Sequence, residues 1–255
     1  MRRRLRGFQT RGVIPARQGD LPPSRRGALG SSMHIICDFD GTITRGDTTD
    51  IVLSALADPT WRAIEDDWLA GRITAAACMR AQVALIGGTE ADLDAVLDRV
   101  ELDPGFVGFV RFCAERQLPI SIVSDGVDRF IYRILERHRL GHLPVFANRM
   151  AGLPFARELE QPYAREGCAA GSGVCKCALS GAWSEPKWPT TVYIGDGRSD
   201  FCVSARADLL FAKGALADYA AGRAQPFTPF DTFDDVRRAL ETRLDQPAGS
   251  RVLPL

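Results

Sequence analysis

The chain has 255 residues, 45% of them hydrophobic and 25% charged, with equal numbers of basic and acidic side chains. That is the mix of a water-soluble globular protein, and 255 residues suffice for one large domain or a core with an insertion. No stretch approaches the roughly 18 consecutive apolar residues of a membrane span, and a balanced charge gives no ground for a nucleic-acid partner. The balance is not local. Residues 1–32 carry eight Arg against one Asp, so the remainder is acidic. With Pro15, Pro22, Pro23 and no apolar periodicity, 1–32 reads as a disordered extension or a mis-assigned start ahead of Met33. It lacks the apolar run of a secretory signal. Seven cysteines in a chain of this size point to a reduced, cytoplasmic protein rather than a disulfide framework.

In chain order, His34-Ile35-Ile36-Cys37 is a short apolar run that reads as a buried strand, closing on Asp38-Phe39-Asp40-Gly41-Thr42. Residues 47–104 change character. Apolar positions recur at helical spacing (Ile51, Leu53, Leu56; Trp61, Ile64, Trp68), broken at Asp58-Pro59, Gly71 and Gly87-Gly88. About four helices and no strand are expected there. A helix from Phe106 to Arg116 follows, then a buried strand, Ile120 to Val123, ending in Ser124-Asp125-Gly126, and a helix over 127–139. Residues 143–175 read as irregular. A third strand, Thr191 to Ile194, ends in Gly195-Asp196-Gly197-Arg198-Ser199-Asp200. A helix over 200–206, a strand at Leu209–Ala212 and a helix from Phe233 to Leu244 complete the pattern.

Strands alternating with helices predict an α/β fold, a Rossmann-like parallel sheet. Its core takes residues 33–46 and 105–245, with 47–104 inserted as a helical cap and 246–255 as a flexible tail. In such sheets ligands bind beyond the carboxyl ends of the strands, where three polar clusters are expected to converge.

The residues of those clusters have a shared chemistry. Asp38 and Asp40 point the same way from the strand end, and two close carboxylates favour a hard cation such as Mg²⁺. A carboxylate also attacks phosphorus, giving an aspartyl-phosphate, with a second carboxyl group as acid and then base. Asp196 can complete a metal site and Asp200 can tune it. Ser124 can donate to a phosphate oxygen. A cation is needed against the phosphoryl charge. The chain has three lysines, Lys176, Lys187 and Lys213. Elimination favours Lys176, with Lys187 as the fallback.

The order DFDGT, Ser, Lys, GD-x3-D resembles the four signature motifs of the haloacid dehalogenase superfamily, over about residues 33–240. The resemblance implies a Mg²⁺-dependent phosphomonoester hydrolase with Asp38 as nucleophile and Asp40 as acid/base. It implies phosphate or substrate binding by Ser124, Lys176, Thr42, Asp47 and Asp125. It implies metal binding by Asp38, the Asp40 backbone carbonyl and Asp196, with Asp200 in support. The cap's place after the first motif is similar to the phosphoserine-phosphatase-like branch. ICDFDGTIT, the Cys-Lys at 175–176 and the run at 210–213 resemble the phosphatases of methionine salvage in particular. Asp125 departs from their usual Gly and is similar to phosphocholine and phosphoethanolamine phosphatases, so phosphoserine and those amines stand as the alternative substrates. The partner expected is a small phosphorylated metabolite, and a homodimer is compatible with the sequence.

Asp47 and Asp50 suit the start of a helix as well as a substrate contact. Cys168, Cys175 and Cys177 are spaced C-x6-C-x-C, which is not a pair of zinc knuckles and leaves a fourth ligand missing. His138 and His142 read as a surface pair, and Cys37, Cys78, Cys113 and Cys202 as core. A phospho-accepting receiver would put its Asp on a middle strand, where this chain has Ser124, and a catalytically dead binding module would need a missing motif, whereas all four are present.

Overall fold

The computed structural model describes residues 33–183 and 190–245. The basic extension 1–32, the tail 246–255 and Lys187 lie outside the described residues. Strand β1 (Met33–Cys37) is buried along its whole length. Its alternate residues serve two cores. Ile35 and Cys37 join one apolar cluster with Phe39, Ile122 and Phe130, while Ile36 joins the other with Val123, Tyr193 and Leu210. A strand covered on both faces must be apolar at successive positions, which explains the unbroken run ahead of Asp38.

The partners are β2 (Ile120–Val127) on one side and β5 (Thr190–Gly195) on the other, both parallel to β1. With β3 (Val145–Leu153), β4 (Ala156–Glu160), β6 (Leu209–Ala212) and β7 (Thr228–Pro229), the sheet runs β4-β3-β2-β1-β5-β6-β7. All pairs are parallel except β3 with β4. The three strands that carry polar ends are therefore adjacent, with β1 central. The chain leaves β1 for β2 on one side and later fills the other side with β5, which makes the β1 rim a switch point.

The segment after β1 forms four helices, α1 (Thr48–Leu56), α2 (Trp61–Leu69), α3 (Ala75–Ala84) and α4 (Glu90–Leu97). Local capping sets three of their starts. Asp47 accepts from the Asp50 N–H, Thr74 from that of Ala77, and Thr89 with Asp92 closes a reciprocal box. The apolar stripe of these helices (Val52, Leu53, Val83, Ile86, Leu93, Leu97) is continuous with the core on one face of the sheet. α5 (Phe106–Glu115) and α6 (Asp128–Arg137) follow as the pattern predicts.

Residues 143–175 depart from the irregular expectation. β3 and β4 form a hairpin there that turns at Pro154-Phe155, with Gly152 at φ +82° one pair before the turn. Burial alternates along β4, but polarity does not follow it, because the inward Arg157 has buried work to do. Arg157 of β4 is almost fully buried and donates 3.0 Å hydrogen bonds to the carbonyls of Ile86 and Gly87, while Gln161 donates to Ala76 O at 3.0 Å. The hairpin thus braces α3 and the α3–α4 turn. Two helices were also not foreseen: α7 (Lys176–Trp183) and α9 (Gly214–Gly222). The expected helix at 200–206 is a 3-10 turn, Arg198–Asp200, running into a short α8 (Phe201–Ser204). No helix among the described residues is long and apolar enough to cross a membrane.

The last helix, α10 (Phe233–Asp245), docks on α5 through Phe106, Phe109 and Phe233. One buried carboxylate ties their starts: Asp103 Oδ1 accepts from Gly105 N at 2.9 Å and Phe233 N at 3.0 Å. Truncation would strand both N–H groups. Asp103→Ala is expected to cost about 2 kcal/mol, about 4–8 °C in Tm at this size. A Tm unchanged by calorimetry would show that the two bonds contribute nothing.

Candidate active site

The site begins with a turn that must be tight. After β1 the chain reverses at Gly41, φ +72°, where a Cβ would run into the Asp196 carboxylate. A residue with a side chain would thus face both a strained backbone and a collision. The turn is closed by Thr44, whose hydroxyl donates to Gly46 O at 2.7 Å. It delivers Asp38 and Asp40 onto the rim with Phe39 buried beneath. A second close approach lies across the β2 end. A Cβ on Gly126 would strike the Asp40 carboxylate, so Gly126 is a residue the site requires although the sequence reading gave it no role.

Lys176 lies at the first residue of α7 and reaches the rim between β1 and β5. Its ammonium donates to Asp38 Oδ1 at 2.6 Å, Asp200 Oδ1 at 2.7 Å and Ser199 Oγ at 2.9 Å. Lys176 is 2% exposed and Asp200 is fully buried. Burial alone would push the ammonium down, but Asp200 and Asp38 outweigh it, and its pKa is held above the usual lysine range.

Asp200 is saturated. Its Oδ1 also accepts from the Tyr193 hydroxyl at 2.6 Å, and its Oδ2 accepts from the N–H groups of Asp196 and Gly197, both at 3.1 Å. A carboxylate offers about four lone-pair sites, and all are used. Tyr193 and Ser199 were not anticipated. The one available signal is that a buried tyrosine in an apolar strand needs a partner for its hydroxyl.

The remaining carboxylates keep open oxygens. Asp38 Oδ1 is taken by Lys176 and Asp196 Oδ1 by the Thr42 hydroxyl at 2.7 Å. No donor among the described residues reaches the second oxygen of either. Asp38, Asp196 and Asp200 each place a carboxylate oxygen within 4.8 Å of the others. Asp40 accepts from Thr48 N at 2.9 Å and faces the Ser124 hydroxyl at 3.5 Å. Burial, then the neighbouring Asp47, raises its pKa to about 7. Burial and then Asp50 bring Asp47 to about 6. Asp38 is pushed well above the carboxylate range by burial and by Asp200, with Lys176 opposing. Asp196 is raised by burial too. This is a surplus of buried acid facing one buried ammonium.

These groups open into a cavity of about 560 Å³. Asp38, Asp40, Asp47, Ser124, Asp125 and Asp196 line its floor. Trp68, Ala75, Cys78 and Met79 line the opposite wall, from α2 and α3. Trp68, one of the apolar positions at helical spacing, fronts the cavity, where the Arg198 guanidinium lies 5.9 Å from its ring. Cys202 was expected in the core and instead lines the cavity, half-buried.

Asp125 also borders the cavity, but its carboxylate is turned to structure. Its Oδ1 accepts from Val174 N at 3.0 Å and Asn148 Nδ2 at 3.3 Å. It therefore fixes the backbone two residues ahead of Lys176. His138 caps α6, away from this site.

The pattern of the haloacid dehalogenase-like hydrolase family matches residues 35–204. Over 208 residues the chain is 34% identical to a 2-hydroxy-3-keto-5-methylthiopentenyl-1-phosphate phosphatase of Geobacillus thermodenitrificans (strain NG80-2), covering 79% of this chain and 92% of the relative. It is 30% identical to the protein of the same name from Brevibacillus brevis (strain 47 / JCM 6285 / NBRC 100599), covering 84% and 97%. A solved phospho-aspartyl intermediate analogue of phosphoserine phosphatase superposes with a TM-score of 0.61 at 20% identity, over 84% of this chain and 99% of that one. The chain belongs to the haloacid dehalogenase-like hydrolases. Within them it is a phosphatase.

The surplus of buried acid has a consequence for stability. Asp40 is an acid of ordinary strength in the unfolded chain and titrates near 7 when folded, so its contribution is intact at low pH and lost as pH rises through about 7. Asp40→Asn keeps the oxygen that accepts from Thr48. In metal-free buffer that variant is expected to melt a few degrees above wild type at pH 8, by a smaller margin at pH 5, and level with it only below about pH 4. A variant that melts lower at both pH values would refute the assignment of strain to this carboxylate.

Proposed function

We propose that the chain hydrolyses a small phosphomonoester by attack of the open Asp38 oxygen on phosphorus. The observation that carries this reading is Asp38 itself: one oxygen held by Lys176, the other unpartnered and directed into a cavity beside Asp40. In the first step the new Asp38–phosphorus bond forms as the bond to the leaving oxygen breaks. Asp40 gives that oxygen its proton. In the second step Asp40 takes a proton from water, the water oxygen bonds to phosphorus, and the Asp38–phosphorus bond breaks, releasing phosphate. A group titrating near 7 can serve both directions at neutral pH. Ser124 donates to a phosphoryl oxygen. Lys176 restrains Asp38 and places positive charge beside the reacting atoms. Asp200 and Ser199 act through Lys176, as positioning residues.

The donor set fits a magnesium ion. Hard oxygen ligands are present and open, their charge is uncompensated, and Mg²⁺ binds through one or two carboxylates while keeping waters. Asp38, Asp196 and the Asp40 backbone carbonyl would hold it, with Asp200 in support from behind. When bound, the ion supplies charge against the phosphoryl oxygens.

Helices α1–α4 act in this reading as a cap that selects the substrate. Two alternatives compete: an uncharged methylthio-ketone phosphate and an amine such as phosphoserine, phosphoethanolamine or phosphocholine. An ammonium group would need a free carboxylate. Asp125 gives Oδ1 to Val174 and Asn148, and Asp47 gives Oδ1 to the start of α1, so neither presents a whole carboxylate to an ammonium. The wall that faces the rim carries Trp68, Ala75, Cys78 and Met79, which suit an apolar thioether end. These features, and the names of the relatives, favour 2-hydroxy-3-keto-5-methylthiopentenyl-1-phosphate, placing the enzyme in methionine salvage.

The test is a parallel kcat/KM comparison of that phosphate with the three amines, with and without chelator. Wild type is expected to prefer the methylthio compound by at least about tenfold. Chelation is expected to remove activity, and Asp38→Asn to lower turnover by more than about a thousandfold. Asp125→Ala should slow all substrates alike, because it loosens the Lys176 segment. A wild-type preference for an amine, lost in Asp125→Ala, would overturn the substrate; full activity of Asp38→Asn would overturn the mechanism.

A further inference from the structure

We propose that Cys177 and Cys202 form a reversible oxidation site, closing to a disulfide across the ion pair that holds Lys176. Cys177 follows Lys176 directly in α7, and Cys202 lies two residues beyond Asp200 in α8. Their sulfurs are 2.9 Å apart, and both thiols are free. A disulfide needs about 2.05 Å, so closure asks for a movement of less than about 1 Å. Neither spacing nor periodicity pairs these residues. The fold does, by seating α7 against α8.

Access separates their roles. Cys202 lines the active-site cavity, so a small oxidant that enters the cavity meets it first. Cys177 does not line the cavity, and burial, then Cys202, pushes its thiol up to about 12. It is the partner that closes the bond. With hydrogen peroxide as oxidant the chemistry balances. The Cys202 sulfur attacks a peroxide oxygen, the O–O bond breaks, and a sulfenic acid and one water form. The Cys177 sulfur then attacks the Cys202 sulfur, the S–O bond breaks, and a second water leaves. The two thiols lose two electrons and two protons in all. A small dithiol reverses the change by thiol–disulfide exchange.

Metal binding at the same thiols is less well supported. Cys168 and Cys175 lie near this pair. Yet the one group among the described residues with three ligand atoms mutually within 4.8 Å is Asp38, Asp196 and Asp200. The cysteines are paired rather than converged.

Oxidation would act on catalysis through position. Drawing the two sulfurs together pulls the first turn of α7 toward α8, and with it Lys176 against Asp38, Asp200 and Ser199. Misplacement approaching 1 Å near reacting groups can cost up to about a hundredfold in rate, so a loss of about tenfold is expected. That consequence rests on the proposed role of Lys176, whereas the bond itself does not.

The experiment exposes the full-length reduced protein to hydrogen peroxide, removes the oxidant, alkylates remaining thiols and maps peptides without reduction. p-Nitrophenyl phosphate hydrolysis is followed in parallel. The proposal expects a Cys177–Cys202 linked peptide, a fall in turnover of about tenfold and recovery with dithiothreitol. Cys177→Ser is expected to keep basal activity and to lose the dithiothreitol-reversible response. Absence of the linked peptide, or a reversible response unchanged in Cys177→Ser, would overturn it. A linked peptide with unchanged turnover would keep the site and refute its effect on Lys176.

Discussion

A buried ammonium has three N–H donors to satisfy, and Lys176 finds one acceptor for each in Asp38, Ser199 and Asp200. The rest of the site is arranged around that constraint. A charged lysine at 2% exposure would lose several kcal/mol to desolvation without full compensation. Three separate pieces of chain meet here: the β1 end and the β5 end supply the acceptors, and the start of α7 supplies the ammonium. None of them is close in sequence to the others, so the ammonium also fixes how the pieces meet. Asp200 can serve because Tyr193 and two backbone N–H groups occupy its other lone pairs, which leaves it no freedom to turn away.

The same arrangement separates four acids by role. Asp200 is fully engaged and holds Lys176. Asp38 and Asp196 each keep one oxygen open toward the cavity. Asp40 sits apart against Thr48, Ser124 and Gly126, and titrates near 7. The environment differs more than the residue type does. One carboxylate is fully engaged, two are half-satisfied, and one is buried near another acid. Opposed environments of this kind make a nucleophile and a proton donor from chemically identical side chains.

The sheet and the first motif were legible because a doubly covered strand must be apolar throughout and must stop where the polar rim begins. Leu209 to Ala212 meets that rule outright, and His34 to Cys37 and Ile120 to Val123 meet it except at His34 and Ser121, which hydrogen-bond to each other at 2.9 Å. The four helices after β1 were legible from apolar spacing and from the Asp-Pro and Gly-Gly breaks between them. The β3–β4 hairpin was not, because its polar residues are paired with other elements: Asn148 with Asp125, and Arg157 with the α3–α4 turn. Lys176 could be reached only by elimination, since the α7 start that positions it carries no capping signal. Gly126 and Tyr193 depend on distances across the sheet, which spacing along the chain does not encode. Asp125 was visible as a rim carboxylate, but its orientation toward Val174 was not.

The central claim is that Asp38, with one oxygen held by Lys176 and one open, becomes covalently phosphorylated during turnover. The direct measurement is acid quenching of the enzyme during steady-state hydrolysis of a phosphomonoester, followed by peptide mass mapping. The account predicts a phosphoryl group on the peptide containing Asp38, absent in Asp38→Asn and accumulating in a variant of Asp40, whose loss slows the second step. Turnover with no phosphorylated peptide at any time, or phosphate carried on another residue, would contradict it.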